Sequence, residues 1–238
     1  MKQIVHTLLK QFNRQLRSFD DPTRSFSRGF EILRKLISPS TIIDVGVADG
    51  TPELYKSFPN HPYLLIEANP TFREQLNKTA AGLDAVIEYV FCGDQMGETA
   101  LRVYKDPRKS STFQINRDLQ LETILTVPVN TLDHLVEKHR LNPPYLVKID
   151  VEGAEKSVLE GAVATLKKTE AVIAEASVLP KFKGGTSFAE LVHLMDAQGF
   201  SVFDIWAGAN HPQTQYLYQV DLVFVKTNAS FRYLSTPE

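Results

Sequence analysis

Runs of alternating or continuous apolar residues recur along this chain, separated by helical stripes. Thr41-Ile-Ile-Asp-Val45, Tyr63-Leu-Leu-Ile66, Ala85–Phe91, Tyr145–Asp150, Ala171–Glu175, Ser201–Trp206 and Tyr216–Val225 read as seven strands. Between them, segments with apolar residues three and four apart predict helices. These are 71–80, a segment entered through the N-cap Thr131 with Leu132, Leu135 and Val136 buried, and one with Val158, Leu159, Ala162, Val163 and Leu166 inward. A further helix spans Phe188 to Gln198 and closes on Gly199. Strand and helix alternate, which predicts an α/β fold with a mostly parallel sheet and helices on both faces. The link between the last two strands holds Gly208, Asn210 and Pro212 and is too short for a helical crossover, so those strands are expected to pair antiparallel.

Before the first strand, residues 1 to 18 predict an amphipathic helix with Ile4, Val5, Leu8, Leu9, Phe12 and Leu16 on one side. It reads as packing on its own domain or a second subunit, with an anionic membrane surface as the alternative. Phe26, Phe30, Leu33 and Ile37 continue at helical spacing to Pro39. These two helices are expected as an N-terminal extension, 1–38, placed where a lid over a ligand can form; 39–238 is the main domain. Other expectations are a hairpin over Glu98 to Tyr104 and a polar loop Lys109–Thr112, solvated or in contact with a substrate.

Composition narrows the class. With 238 residues and a net charge of −2, the chain has enough material for one stable core and lacks the basic excess of a nucleic-acid binder. The single cysteine, Cys92, excludes an internal disulfide and fits a reducing compartment; it reads as a small apolar residue at a strand end. No apolar stretch is long enough for an integral membrane segment and no signal-type pattern opens the chain, so a cytoplasmic location is the expectation.

The strand ends carry the candidate chemistry. The first runs Asp44-Val-Gly46-Val-Ala-Asp49-Gly50, a sharp turn where missing Cβ atoms let a ligand approach the backbone. The second ends in Glu67, where a carboxylate can accept from both hydroxyls of a ribose. The third ends in Cys92-Gly93-Asp94, either a purine-amine contact or a turn acid. Asp150 ends the fourth strand, with Lys148 on the same face, and Glu175 ends the fifth. In a parallel sheet these ends share one edge. The spacing Gly46-x-x-x-Gly50 departs from Gly-x-Gly-x-x-Gly, and Asp49 would repel a pyrophosphate, so a dinucleotide is disfavoured. A ligand with a ribose, a purine and a cationic centre fits the carboxylates; S-adenosylmethionine is one.

Ile43–Gly50, Leu65-Ile-Glu67, Asn130-Thr-Leu-Asp133 and, most specifically, Lys148-Ile-Asp-Val-Glu-Gly-Ala-Glu155 resemble the FkbM-type methyltransferases over roughly residues 40 to 226. The resemblance implies a Rossmann-like class I fold, with a seven-stranded sheet and antiparallel last strand, and S-adenosylmethionine-dependent methylation of a hydroxyl on a sugar, glycan or small natural product. It implies that Asp44, Gly46 and Gly50 shape the methionine pocket, Glu67 holds the ribose and Asp94 lies near the adenine. Where the family commonly has Asn this chain has Ala48, so that contact is lost or passes to Asp49. Asp150 is the first candidate for a base or acceptor-orienting group. Lys148 is second, on condition that its pKa is lowered. A divalent cation on Asp150, Glu152 and Glu175 is possible but not favoured. The histidines have no metal-ligand spacing; His211 faces either a substrate or solvent. Ala48 and the unassigned base leave a non-catalytic adenosyl-ligand-binding or assembly protein as the alternative. The leading helix leaves a homodimer open.

Overall fold

The computed structural model describes residues 25–233, apart from 117 and 212. The predicted helix over residues 1 to 18 lies outside them. Ser25 caps helix α1 (Phe26–Leu33), its hydroxyl accepting from Arg28 N–H at 3.3 Å. Strand β1 (Thr41–Val45) leads through the glycine turn into α2 (Pro52–Ser57); β2 (Tyr63–Ile66) leads into α3 (Arg73–Ala80), and β3 (Ala85–Glu88) follows. Then come β4 (Phe91–Cys92), β5 (Gly97–Tyr104), β6 (Leu121–Asn130), α4 (Leu132–Lys138) and β7 (Tyr145–Ile149). The chain continues through α5 (Glu155–Glu160), α6 (Val163–Lys167), β8 (Thr169–Ser177), α7 (Phe188–Ala197), β9 (Phe200–Asn210) and β10 (Leu217–Lys226).

Seven strands form the main sheet in the order β3-β2-β1-β7-β8-β10-β9. β1, β2, β3, β7 and β8 pair in parallel, and β10 runs antiparallel to both β8 and β9. The antiparallel last strand is as expected; it inserts between β8 and β9 instead of lying at the edge. Period-two alternation assigns each strand residue to one of two covered faces. Ile43, Val45, Val147, Ile149, Val172 and Phe224 pack on one, with Leu135, Leu159 and Met195 from the helices. Ile42, Leu65, Leu146, Ile173 and Val223 pack on the other, with Phe30, Leu54 and Leu76.

Several expectations change. The third predicted strand, 85–91, divides: β3 joins the main sheet, whereas β4 joins a small sheet of order β4-β6-β5. The expected hairpin within Glu98–Tyr104 is one strand, β5, whose antiparallel partner β6 lies beyond a long loop. The single helix expected after Asp150 is two short ones. They divide at Gly161, where the backbone closes on the loop after β4: a Cβ there would stand 2.0 Å from the Gly93 carbonyl oxygen. Val163, expected inward, is exposed as a result.

Helix α1 forms no lid. Phe30 packs edge-on against Trp206 with centroids 5.0 Å apart, and a Cβ on Gly29 would lie 2.2 Å from the indole. Phe30 also stands edge-on to Phe58, just past α2, with centroids 6.4 Å apart, so α1 packs between β9 and α2 and lends no residue to the pocket beyond the glycine turn. Thr131 caps α4 as predicted, its hydroxyl accepting from His134 N–H at 3.2 Å.

Candidate active site

The carboxyl ends of β1, β2 and β7 open into a cleft with a cavity volume of about 280 Å³. Its floor is the turn 45–51, with Glu67, Val90–Cys92, Lys148, Asp150 and Glu175 around it and Pro107–Ser111 over it. The turn is locked from behind. Gly46 has φ +79°, and a Cβ there would stand 1.8 Å from the Asp150 carbonyl oxygen. The glycine that the sequence suggested for ligand approach is thus required already by the contact between the β1 and β7 ends. Gly50 has φ +121°, and Ala48 is left-handed at φ +51°, a region that Asn enters more readily than Ala.

Glu67 shapes this turn. Its Oε2 accepts from Ala48 N–H at 2.7 Å and its Oε1 from Asn69 N–H at 2.6 Å. Each carboxylate oxygen has capacity for a second hydrogen bond. Burial pushes its carboxyl up to about 7, against the lowering effect of the Asn69, Ala48 and Ala68 amides. Asp49 reaches across the mouth to Arg108: Nε donates to Oδ1 at 3.2 Å and Nη2 to Oδ2 at 2.6 Å. The Arg108 hydrogen bonds hold the Asp49 carboxyl below its usual range.

A row of charge crosses the sheet at the inner end of the cleft. Asp44 on β1 is opposite Lys148 on β7, and Glu175 on β8 is opposite Asp221 on β10. All four lie on the face that carries α1 and α2, as their parity with Ile42, Leu146, Ile173 and Val223 requires. Lys148 Nζ is 3.2 Å from Asp150 Oδ2 and 3.8 Å from Asp44 Oδ1. Asp44 is fully buried behind the cleft, where its Oδ2 accepts from Tyr55 O–H at 3.1 Å. Burial raises its carboxyl, with Lys148 opposing. For Lys148, burial works to lower the pKa but the charges of Asp150, Asp44 and Asp221 prevail and raise it. The condition attached to Lys148 as a base therefore fails, and it is a fixed cation. Burial works to raise Asp150, yet Lys148, then Lys181 and Lys109, bring it below the usual carboxylate range. Asp150 is an ionised, half-buried acceptor on the cleft wall.

Beside it runs a chain of alternating charge. Lys109 Nζ lies 3.0 Å from Glu152 Oε1, Lys181 bridges Glu152 Oε2 and Glu175 Oε1 (the latter at 2.7 Å), and Gln219 amide N–H donates to Glu175 Oε2. Burial, then the Asp150 charge, push Glu175 up to about 8, and the same two causes push Asp221 up to about 7. Lys181 stands between the carboxylates considered for a divalent cation. Among the described residues no three His, Cys, Asp or Glu side chains converge to hold a metal.

Two of the candidate residues lie outside the main cleft. Asp94 is outside the main cleft, paired with the Ser157 hydroxyl at 3.2 Å and lining a neighbouring hollow that shares Phe91. His211 is in the β9–β10 turn, accepting from Thr214 N–H at 3.3 Å. Burial raises the Cys92 thiol to about 12, consistent with an apolar role. Asp133, last residue of the Asn-Thr-Leu-Asp motif, caps α6 by accepting from Ala164 and Thr165 N–H at 2.8 and 2.7 Å. Glu155 is buried and accepts from Gly153 N–H at 3.0 Å. Arg108, Lys181, Gln219 and Asp221 were not singled out as site residues. Only Asp221 carried a signal, as a lone acid at the inward parity of an apolar strand.

With this geometry the fold is that of a Rossmann-like methyltransferase. A methyltransferase FkbM from Methylobacillus flagellatus is similar at a TM-score of 0.51 and 14% identity, over 86% of this chain and 49% of that one. The chain thus spans about half the length of that protein. A candidate O-methyltransferase from Klebsiella pneumoniae is similar at a TM-score of 0.50 and 12% identity, over 94% and 96% of the two chains. Residues 44–202 match the model of the methyltransferase FkbM domain, and the chain belongs to that family. Membership implies S-adenosylmethionine as methyl donor. No curated protein matches the chain in sequence. Among the described residues no helix is long and apolar enough to cross a membrane.

Proposed function

We propose that this chain methylates a hydroxyl of a sugar, glycan or small natural product, with residues 39–238 as the methyltransferase domain. The observation that carries the reading is the position of Asp150: an ionised carboxylate on the wall between the Gly46–Glu67 turn and the charged row. The donor set fits the cofactor. Glu67 retains lone pairs for two ribose hydroxyls, Gly46–Gly50 offer backbone to a chain lying against them, and the ionised Asp150 on the cleft wall favours a cationic centre over a phosphate, whereas Asp49 is already paired with Arg108. When bound, S-adenosylmethionine supplies a methyl group already activated by its sulfonium.

The protein's task is then placement and proton removal. Asp150 accepts a hydrogen bond from the acceptor hydroxyl and turns its oxygen lone pair toward the donor half of the cleft. A carboxylate with a lowered pKa is a weak base in the resting enzyme. As the oxygen gains the methyl as its third substituent its proton becomes far more acidic, and that proton passes to Asp150 at that point. Lys148, held cationic at 3.2 Å, keeps Asp150 ionised until then. Pro107–Ser111 line the cleft mouth, tied to its turn through Arg108 and Asp49.

Calorimetry with S-adenosylmethionine and S-adenosylhomocysteine is the first test, followed by methyl transfer to a panel of hydroxylated acceptors. Binding of both cofactors with turnover on a hydroxyl supports the proposal. Absence of binding to either overturns it, and binding with transfer only to nitrogen or carbon overturns the choice of oxygen.

A further inference from the structure

Lys181 is a charged side chain with no solvent exposure, reached by the loop after β8. Its ammonium contacts Glu152 Oε2, Glu175 Oε1 at 2.7 Å and Gln219 Oε1 at 3.1 Å. Three oxygens from β8, β10 and the turn after β7 thus converge on one point. The rings of Phe182 and Tyr218 stand 5.5 and 5.9 Å from the same nitrogen. A buried ammonium has a large desolvation cost, so it is stable only where acceptors surround it. The reverse also holds: two buried carboxylates this close are stable only around a cation or by taking up protons.

Oxygen ligands from two carboxylates and an amide are also what a hard divalent cation takes. The geometry points to Lys181 as the internal counter-cation of the acceptor half of the cleft: it fills the place of a divalent ion and holds Glu152 and Glu175 against the wall that Asp150 shares. Both carboxylates line the cleft, so their orientation sets what the acceptor meets beside Asp150. This role rests on the methyltransferase reading for its purpose, but the cation exchange it describes does not require turnover.

The test uses the full chain with Lys181→Ala and Lys181→Gln, each alone and with Glu175→Gln, titrated calorimetrically with Mn²⁺. Wild type is expected to give no saturable binding. Each single variant is expected to gain a site at least tenfold tighter than any in wild type, and Glu175→Gln is expected to abolish it. If the variants are unfolded in metal-free buffer, Mn²⁺ is expected to restore a cooperative thermal transition. Variants that bind no Mn²⁺ and gain no thermal stability from it overturn the inference. S-adenosylmethionine binding is measured on wild type in parallel: its absence, with the Mn²⁺ gain intact, overturns the methyl-donor reading and leaves the counter-cation standing.

Discussion

Arg108 and Asp49, 59 residues apart in the chain, clasp each other in a two-pronged ion pair across the mouth of the cleft. One belongs to the turn after β1 and the other to the loop between β5 and β6. Both side chains are substantially exposed, so the pair itself contributes at most about 1 kcal/mol to stability. Its geometry makes it a latch on the loop. Arg108→Ala is expected to leave the thermal midpoint nearly unchanged while speeding cofactor dissociation severalfold, read by stopped-flow fluorescence. Raising salt should narrow the difference by weakening the wild-type clasp. A variant with the wild-type off-rate would show that the loop is held closed without it.

Lys148 neutralises a carboxylate that water does not reach. Lys148→Met is expected to cost about 3–5 kcal/mol in urea unfolding at pH 8, because Asp44 is left buried without a cation. Asp44 then has a folded-state pKa well above its unfolded one, so the folded form binds the extra proton. The deficit should accordingly shrink as pH falls toward 5. Adding Asp44→Asn should recover part of the loss at pH 8. Equal deficits at both pH values would mean that Asp44 is not the group left uncompensated.

Five buried carboxyls titrate upward: Asp44, with Glu67, Glu155 and Asp221 raised to about 7 and Glu175 to about 8. Each folded pKa exceeds its unfolded value, so the folded state binds more protons between them and stability falls as pH rises. The urea midpoint should be higher at pH 5.5 than at pH 8. S-adenosylmethionine affinity should run the opposite way, since an ionised Glu67 is the better acceptor for ribose hydroxyls. Calorimetry at pH 6 and 8 reads that slope, and Glu67→Gln should both flatten it and weaken binding about tenfold or more. Parallel slopes for stability and affinity would detach Glu67 from the ribose.

Asp133 separates a structural motif from a chemical one. Asp133→Ala removes the N-terminal cap of α6 and should lower stability by about 1–2 kcal/mol in urea unfolding. Cofactor affinity measured on the same sample should stay within twofold of wild type. A selective loss of affinity would give the Asn-Thr-Leu-Asp motif a part in the site.

The strands were legible because alternation is a local property: a residue's face follows from its parity whatever the sheet pairs with. Asp44, Glu67 and Asp150 could be placed at strand ends for the same reason. Ala48 was legible only as a departure from a motif, and its left-handed backbone emerged with the turn. The division of 85–91 between two sheets was not readable, since the partner β6 lies beyond a loop whose path no periodicity encodes. Likewise one helical stripe joined Val158 to Leu166, and the chain divides it into two helices at Gly161, where its backbone meets the Gly93 carbonyl.

By itself, the order of residues determined an α/β sheet, its antiparallel last strand and a carboxyl edge rich in acids, all of which depend on neighbours within a few positions. Tertiary structure alone decided which of those acids are ionised. Arg108, Lys109 and Lys181 reach Asp49, Glu152 and Glu175 from loops, and Asp221 arrives from a strand inserted late in the chain. Charge acts through space and burial, and neither distance nor burial is a property of sequence spacing.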